Sequence, residues 1–114
     1  MNALVSERAG LAVASALFRG LADSTRLAIL QRLAGGEARV VDLTAELDLA
    51  QSTVSGHLAC LQDCGLVTAR PDGRQMHYTL ARPELLDLLT AAEAVLAATG
   101  QQIALCPTYG TRTN

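Results

Sequence analysis

The sequence has no tryptophan and only three aromatic residues, Phe18, Tyr78 and Tyr109, although 50% of it is hydrophobic, largely Ala, Leu and Val. That balance favours helices over a β-sandwich or barrel. There is no apolar run of the roughly eighteen residues that a membrane helix needs, and no long apolar core behind a basic start. Neither a membrane span nor a secretory leader is expected, and the expected compartment is a reducing cytoplasm. Charge of one sign is also scarce. The formal net charge of −2 argues against a nonspecific polycation, yet it leaves a local basic surface open, because binding depends on where the cations sit.

Cysteine is sparse and odd in number, with Cys60, Cys64 and Cys106, which fits metal ligation better than a fully paired disulfide framework. No Cys-x-x-Cys pair and no nucleophile-and-base set is present, so the chain does not read as an enzyme. There are no internal repeats. At 114 residues the chain can bury one real core, whereas two independent domains would each be small.

The most informative stretch runs from Asp42 to Val67, DLTAELDLAQSTVSGHLACLQDCGLV. Leu43 and Leu47 sit one helical turn apart, Leu49 follows, and Val54, Leu58 and Leu61 recur at i, i+4, i+7. This is the spacing of two short amphipathic helices around a tight turn, a helix-turn-helix. The second helix sets Gln51, Ser52, Thr53, Ser55, Gly56 and His57 early in its length. Short polar or absent side chains let a helix approach a major groove and bond to base edges and phosphates. Asp42 is a suitable cap for the first helix of the pair. Asp48 occupies the turn and tolerates a left-handed backbone, and Ala50 offers the reading helix no capping oxygen.

Around this pair the chain reads as helix, helix, pair, hairpin, helix. The first helix is expected from about Ala3 to Arg19, ended by Gly20; a second, DSTRLAILQRLAGG, is capped by Asp23 and stopped by Gly35 and Gly36. Arg39 to Val41 reads as a short edge strand. After Gly65 the period changes to LVTAR, a PDG turn and RQMHYTL, a β-hairpin wing bearing Arg70, Arg74, Gln75 and His77 where a phosphate backbone would pass. Tyr78 is expected to pack the wing on the body, and Arg26 and Arg32 to be solvated. The last helix, from about Pro83 to Thr99, carries Leu85, Leu86, Leu88, Leu89, Ala92, Val95 and Leu96, more apolar surface than one small domain needs. The first and last helices therefore look like a pairing surface for a second copy. The expected organisation is a mainly α winged helix-turn-helix with a small β-hairpin wing, residues 1–100, dimerising through its first and last helices, followed by a flexible tail, residues 101–114.

Cys60 and Cys64 lie i, i+4 on the reading helix, near enough for one soft metal ion to bridge their sulfurs. The bland alternative is a pair of small buried hydrophobes. A three-thiolate site would have to recruit Cys106 from the tail, which is long enough to reach a helix of either protomer. His57, one turn before Cys60, reads more readily as a phosphate or base contact than as a ligand, and His77 as a wing contact.

With these residues in view, the chain resembles the ArsR/SmtB family of bacterial metal-responsive repressors over roughly residues 11–99, through LFRGLADSTRLAILQRLAGG, DLTAELDLAQSTVSGHLACLQDCGLV and GRQMHYTL. The segment HLACLQDCGLV with a lone tail cysteine is similar to that of its cadmium- and lead-sensing members. The resemblance implies a homodimer that binds double-stranded operator DNA when metal-free and is released by cadmium or lead, with zinc a further candidate. It also implies ligation by Cys60 and Cys64 of one protomer with Cys106 of the other. Ala50 and Asp48 stand where the family usually has a hydroxyl cap and a glycine. ARVVDL lacks the cysteines of another family site, and the last helix offers Glu84, Asp87 and Glu93 but no histidine for a zinc site. The rival readings are a thiol redox-sensing repressor of the same fold and a metal-buffering protein.

Overall fold

Asp23 opens the helical body. Its backbone is extended, and its carboxylate accepts the Thr25 and Arg26 amides at 2.8 and 3.0 Å, pairing two of the N–H groups that a helix start leaves free. The computed structural model describes residues 3–106, with side chains from residue 7 onward. Helix α1 (Ala3–Leu21) precedes this cap and α2 (Ser24–Ala34) follows it, ending at Gly35 and Gly36. A short β1 (Ala38–Arg39), α3 (Val40–Leu47) and α4 (Gln51–Asp63) come next, then β2 (Val67–Asp72), β3 (Gln75–Leu80) and α5 (Glu84–Ala98). The strands form one antiparallel sheet in the order β1-β3-β2.

The helix-turn-helix is α3 and α4, joined through Asp48, whose φ of 56° is the left-handed conformation anticipated for it. The start of α3 differs from expectation. Asp42 is not the N-cap but the third helical residue, and it reaches back to accept the Arg39 backbone N–H at 2.9 Å and the guanidinium at 2.8 Å. Val40 and Val41 consequently belong to α3, and the edge strand shrinks to Ala38–Arg39.

The wing is longer than the alternation suggested. Pro71 and Asp72 continue β2, and the turn is Gly73–Arg74, with only Gly73 at positive φ, 66°. Proline is tolerated there because β2 is the sheet edge.

Ile29, Leu30, Leu43, Val54, Leu58, Leu61 and Val67 are the most deeply buried side chains, joined by Leu85 and Leu89 from one side of α5. Tyr78 packs on this core, as expected. Arg26 and Arg32 do not behave as solvated charges. Arg26 donates to the carbonyls of Gly20 and Arg19 at 2.7 and 3.2 Å, tying down the end of α1, and Arg32 pairs with Glu46 at 2.6 Å. Helix α1 runs through Gly20, a buried residue whose missing side chain leaves room for Cys64: a Cβ there would lie 3.3 Å from that sulfur.

Much of α1 and α5 faces outward. Leu11, Phe18 and Val95 are 69%, 56% and 65% exposed, and of the seven apolar positions on α5 only Leu85 and Leu89 are buried. The radius of gyration, 16.0 Å, exceeds the roughly 13 Å of a compact chain of this size.

Two measurements test this account. Leu30→Ala should lower unfolding stability by about 2–5 kcal/mol in chemical denaturation, with an unchanged denaturant slope. The Arg26 amide holds the Asp23 carboxyl below its ordinary 3.8, and the Arg39 side chain holds Asp42 well below the usual range. A depressed carboxylate adds stability that is complete above the unfolded value and is lost as pH falls through the folded one. Stability should therefore decline as pH falls below about 4, and less steeply in Asp23→Ala; equal slopes would refute the cap's role.

Candidate functional site

Val54, Leu58 and Leu61 turn one side of α4 into the core, which sets the opposite side outward. Gln51, Ser52, Thr53, Ser55 and Gly56 are all exposed there. A Cβ on Gly56 would meet nothing within 4 Å, so no packing inside the protomer demands glycine. Ala50 caps α4 with no side-chain hydrogen bond, and no other side chain among the described residues bonds the first-turn amides. The first-turn amides and the positive end of the helix dipole are left open to an anion such as a DNA phosphate.

His57 behaves differently from its neighbours. It is half-buried, with Nδ1 3.4 Å from the Arg26 guanidinium. Because a guanidinium only donates, Nδ1 is the acceptor and Nε2 carries the proton. The ring is thus tied to α2 and offers Nε2–H as its free donor.

On the wing, cross-strand pairing sets Arg39, His77 and Arg70 in one row across the three strands. Each has an acid beside it. Arg39 is held by Asp42 and also donates to Gln75 Oε1 at 2.9 Å; His77 lies 3.4 Å from Glu37 and 3.5 Å from Asp72; Arg70 pairs with Glu37 at 2.9 Å. The Arg70 guanidinium in turn holds the Glu37 carboxyl below its usual range. Arg74, at the hairpin tip, has no acidic partner among the described residues. A groove of about 360 Å³ separates the wing tip from the start of α4, bordered by Val41, Gln51, Arg74 and Met76.

All three cysteines are free thiols. Cys60 is half-buried one turn before Cys64, which ends α4 and donates its amide to the Cys60 carbonyl at 3.1 Å. Cys64 is exposed, with its sulfur over Gly20 of α1. Cys106 lies elsewhere. Its thiol donates to the Leu86 carbonyl at 3.5 Å and sits 3.3 Å from Thr90 Oγ1, while Glu93 accepts the amides of both Leu105 and Cys106. The Leu105 and Cys106 amides hold the Glu93 carboxyl below its usual range. Gln31 of α2 pins the Ala104 carbonyl. Among the described residues no three His, Cys, Asp or Glu side chains are gathered to hold one ion. The two α4 thiols alone do not make up such a set. The tail from residue 107 lies outside the described residues.

Sequence reasoning gave Arg26 and Glu93 other roles, a solvated charge and an incomplete zinc set, and did not single out Glu37. Their partners His57, Cys106 and Arg70 lie 31, 13 and 33 residues away, beyond the reach of any local pattern.

The family described as bacterial regulatory protein, arsR family, matches residues 23–69, from the α2 cap into the wing. Over 89 residues the chain is 38% identical to a probable mercury resistance operon repressor of Streptomyces lividans, covering 78% of this chain and 71% of that protein. Over 69 residues it is 49% identical to the HTH-type transcriptional regulator CmtR of Mycobacterium bovis, covering 60% and 58%. Among solved structures it is similar to the homodimeric winged helix-turn-helix DNA-binding domain Mb0332 of Mycobacterium bovis, with a TM-score of 0.75, 28% identity, and coverage of 86% of this chain and 91% of that one.

The parked tail makes a direct prediction. Glu93→Ala should speed alkylation of Cys106 by about threefold or more, followed by mass spectrometry, and leave Cys64 unchanged. Equal acceleration at both thiols would mean general loosening rather than release of the tail.

Proposed function

The chain belongs to the arsR family of bacterial regulatory proteins, and on that premise we propose that it is a repressor that binds operator DNA as a metal-free homodimer and lets go when its thiols capture a soft metal ion. The observation that carries this reading is the arrangement of α4: an exposed polar start, an uncapped N-terminus, and two free thiols on its last turn. DNA contact and ion capture share one rigid element.

Gln51, Ser52, Thr53, Ser55 and Gly56 face base edges, and the Nε2–H of His57 serves a base or phosphate. Arg70, Arg74, Gln75 and His77 line the backbone beside them. The apolar outer face of α1 and α5 supplies the contact between protomers, and a two-fold dimer sets two reading helices on an imperfect palindrome.

Cys60 and Cys64 hold the ion, and Cys106 completes a three-sulfur set, a donor chemistry that selects cadmium or lead, with zinc a further candidate, over hard ions. Such an ion acts as a crosslink between sulfurs. Cys106 rests on α5, away from α4 in its own protomer, and α5 belongs to the proposed dimer face; both facts favour closure across protomers. Anchoring Cys106 to the end of α4 restrains the reading helix. Couplings of this kind are about 1–3 kcal/mol, and DNA must weaken metal by the same factor that metal weakens DNA. Thiol protons leave on capture, so apparent metal affinity should rise with pH.

The test is a cadmium titration followed by sulfur-to-metal absorption in the ultraviolet, paired with a DNA-shift assay on the gene's own upstream sequence. Cys60→Ser and Cys64→Ser should each weaken binding and dim the band, and a protein with all three cysteines changed to serine should bind DNA yet ignore cadmium. Release of that thiol-free protein by cadmium would sink the proposal. Release by peroxide alone, reversed by a thiol reductant, would favour a redox sensor instead.

A further inference from the structure

All nine lysine-or-arginine cations of this chain are arginine, and on the wing the Nε–Nη2 edge of Arg70 is already paired with Glu37. Its Nη2 donates to both oxygens of Glu37, at 3.0 and 2.9 Å, and its Nε to one of them at 3.3 Å. That planar fork gripping two oxygens is also how a guanidinium grips a phosphate. Glu37 comes from the loop between α2 and β1, on the body rather than the wing, and also faces His77 Nδ1 at 3.4 Å. One carboxylate thus faces two of the hairpin's three basic groups, and Arg74 at the tip has no acidic partner among the described residues.

We propose that Glu37 is an internal stand-in for a DNA phosphate, a positioning residue that holds Arg70 away from the backbone and so sets the strength and salt dependence of DNA binding. The inference rests on the reading of the wing as a backbone contact. Its physical content is a count of ions. A free arginine that meets a phosphate releases a condensed counterion and steepens the fall of log affinity with log salt by about 0.9. While Arg70 stays on Glu37 it neutralises no phosphate and displaces no cation from the DNA. If Arg70 moves to a phosphate, the Glu37 charge is left bare beside DNA and must recruit a cation, which cancels the release. Exposed pairs of this kind are weak in themselves, so the effect arises from the uncompensated charge rather than from the strength of the bond.

The experiment measures binding of the full-length protein to a random-sequence duplex and to its own upstream DNA across a range of salt. The expected result for Glu37→Gln, which keeps the shape and loses the charge, is roughly five- to tenfold tighter binding on both duplexes near 0.1 M salt, with a slope steeper by about 0.9. Glu37→Asp should keep the wild-type slope, and adding Arg70→Ala to Glu37→Gln should abolish the gain. Circular dichroism melts of each variant establish that the wing and body remain folded. Unchanged or weaker binding by a folded Glu37→Gln protein overturns the inference, as does a gain that survives Arg70→Ala. Failure of the wild-type protein to prefer upstream over random DNA would instead sink the operator reading, and the Glu37→Gln ratio on random duplex would still decide this one.

Discussion

The burial of Val54, Leu58 and Leu61, each 1% exposed or less, fixes the rotation of α4 about its own axis. The display of the reading face and of the α4 thiols depends on that constraint. With a period of 3.6 residues, the side buried determines the side displayed, so the polar start of the helix must face outward once these three point into the core. A polar residue at any of the three positions would free the rotation and scatter the whole constellation. The same constraint reaches the thiols: Cys60 is half-buried and Cys64 exposed, so the ion proposed for them would pull on an element that cannot turn without disturbing the core.

Because the helix is rigid, coupling has to pass through what touches it. Arg26 links His57 of α4 to the last carbonyls of α1, and the Cys64 sulfur rests where Gly20 leaves space. The carboxyl end of α1 is therefore bonded to the reading helix at one point and in close approach to its thiol at another. A sulfur drawn toward an ion would shift its contact with α1, whose outer face is the proposed protomer contact. Two coupled sites and a shared element are what linkage between ion and DNA requires.

The elements themselves were legible because each is written in local chemistry. Apolar residues at helical spacing marked α3 and α4, Asp23 marked the start of α2, and Asp48 accepted the left-handed turn usually given to glycine. Boundaries were less legible where a local signal was outweighed. Asp42 has the chemistry of an N-cap, but the Arg39 amide and guanidinium drew it to the third helical position. Pro71 reads as a turn, but an edge strand does not need its missing donor. The candidate site was legible as residue types at a spacing, while its ionic partners were not. Glu37 lies 33 residues from Arg70, and Glu93 lies 13 from Cys106; nothing in a window of either sequence signals the other.

That hidden layer has a common logic. The row of Arg39, His77 and Arg70 is matched by Asp42, Glu37 and Asp72, and the tail backbone at Cys106 is held by the carboxylate of Glu93. In the wing row each group suited to a phosphate already has an internal carboxylate of the chemistry a phosphate would offer. For a chain with a net charge of −2 this is a consistent solution: the cations are present where a backbone would lie, yet they are offset until a phosphate competes for them. Binding then becomes an exchange of partners rather than the filling of open sites, and exchange lowers affinity more for weak, isolated phosphate contacts than for a full operator that replaces many partners together. The proposed release of DNA by an ion would be served by such contacts, because their surrender returns Arg39, His77 and Arg70 to internal partners.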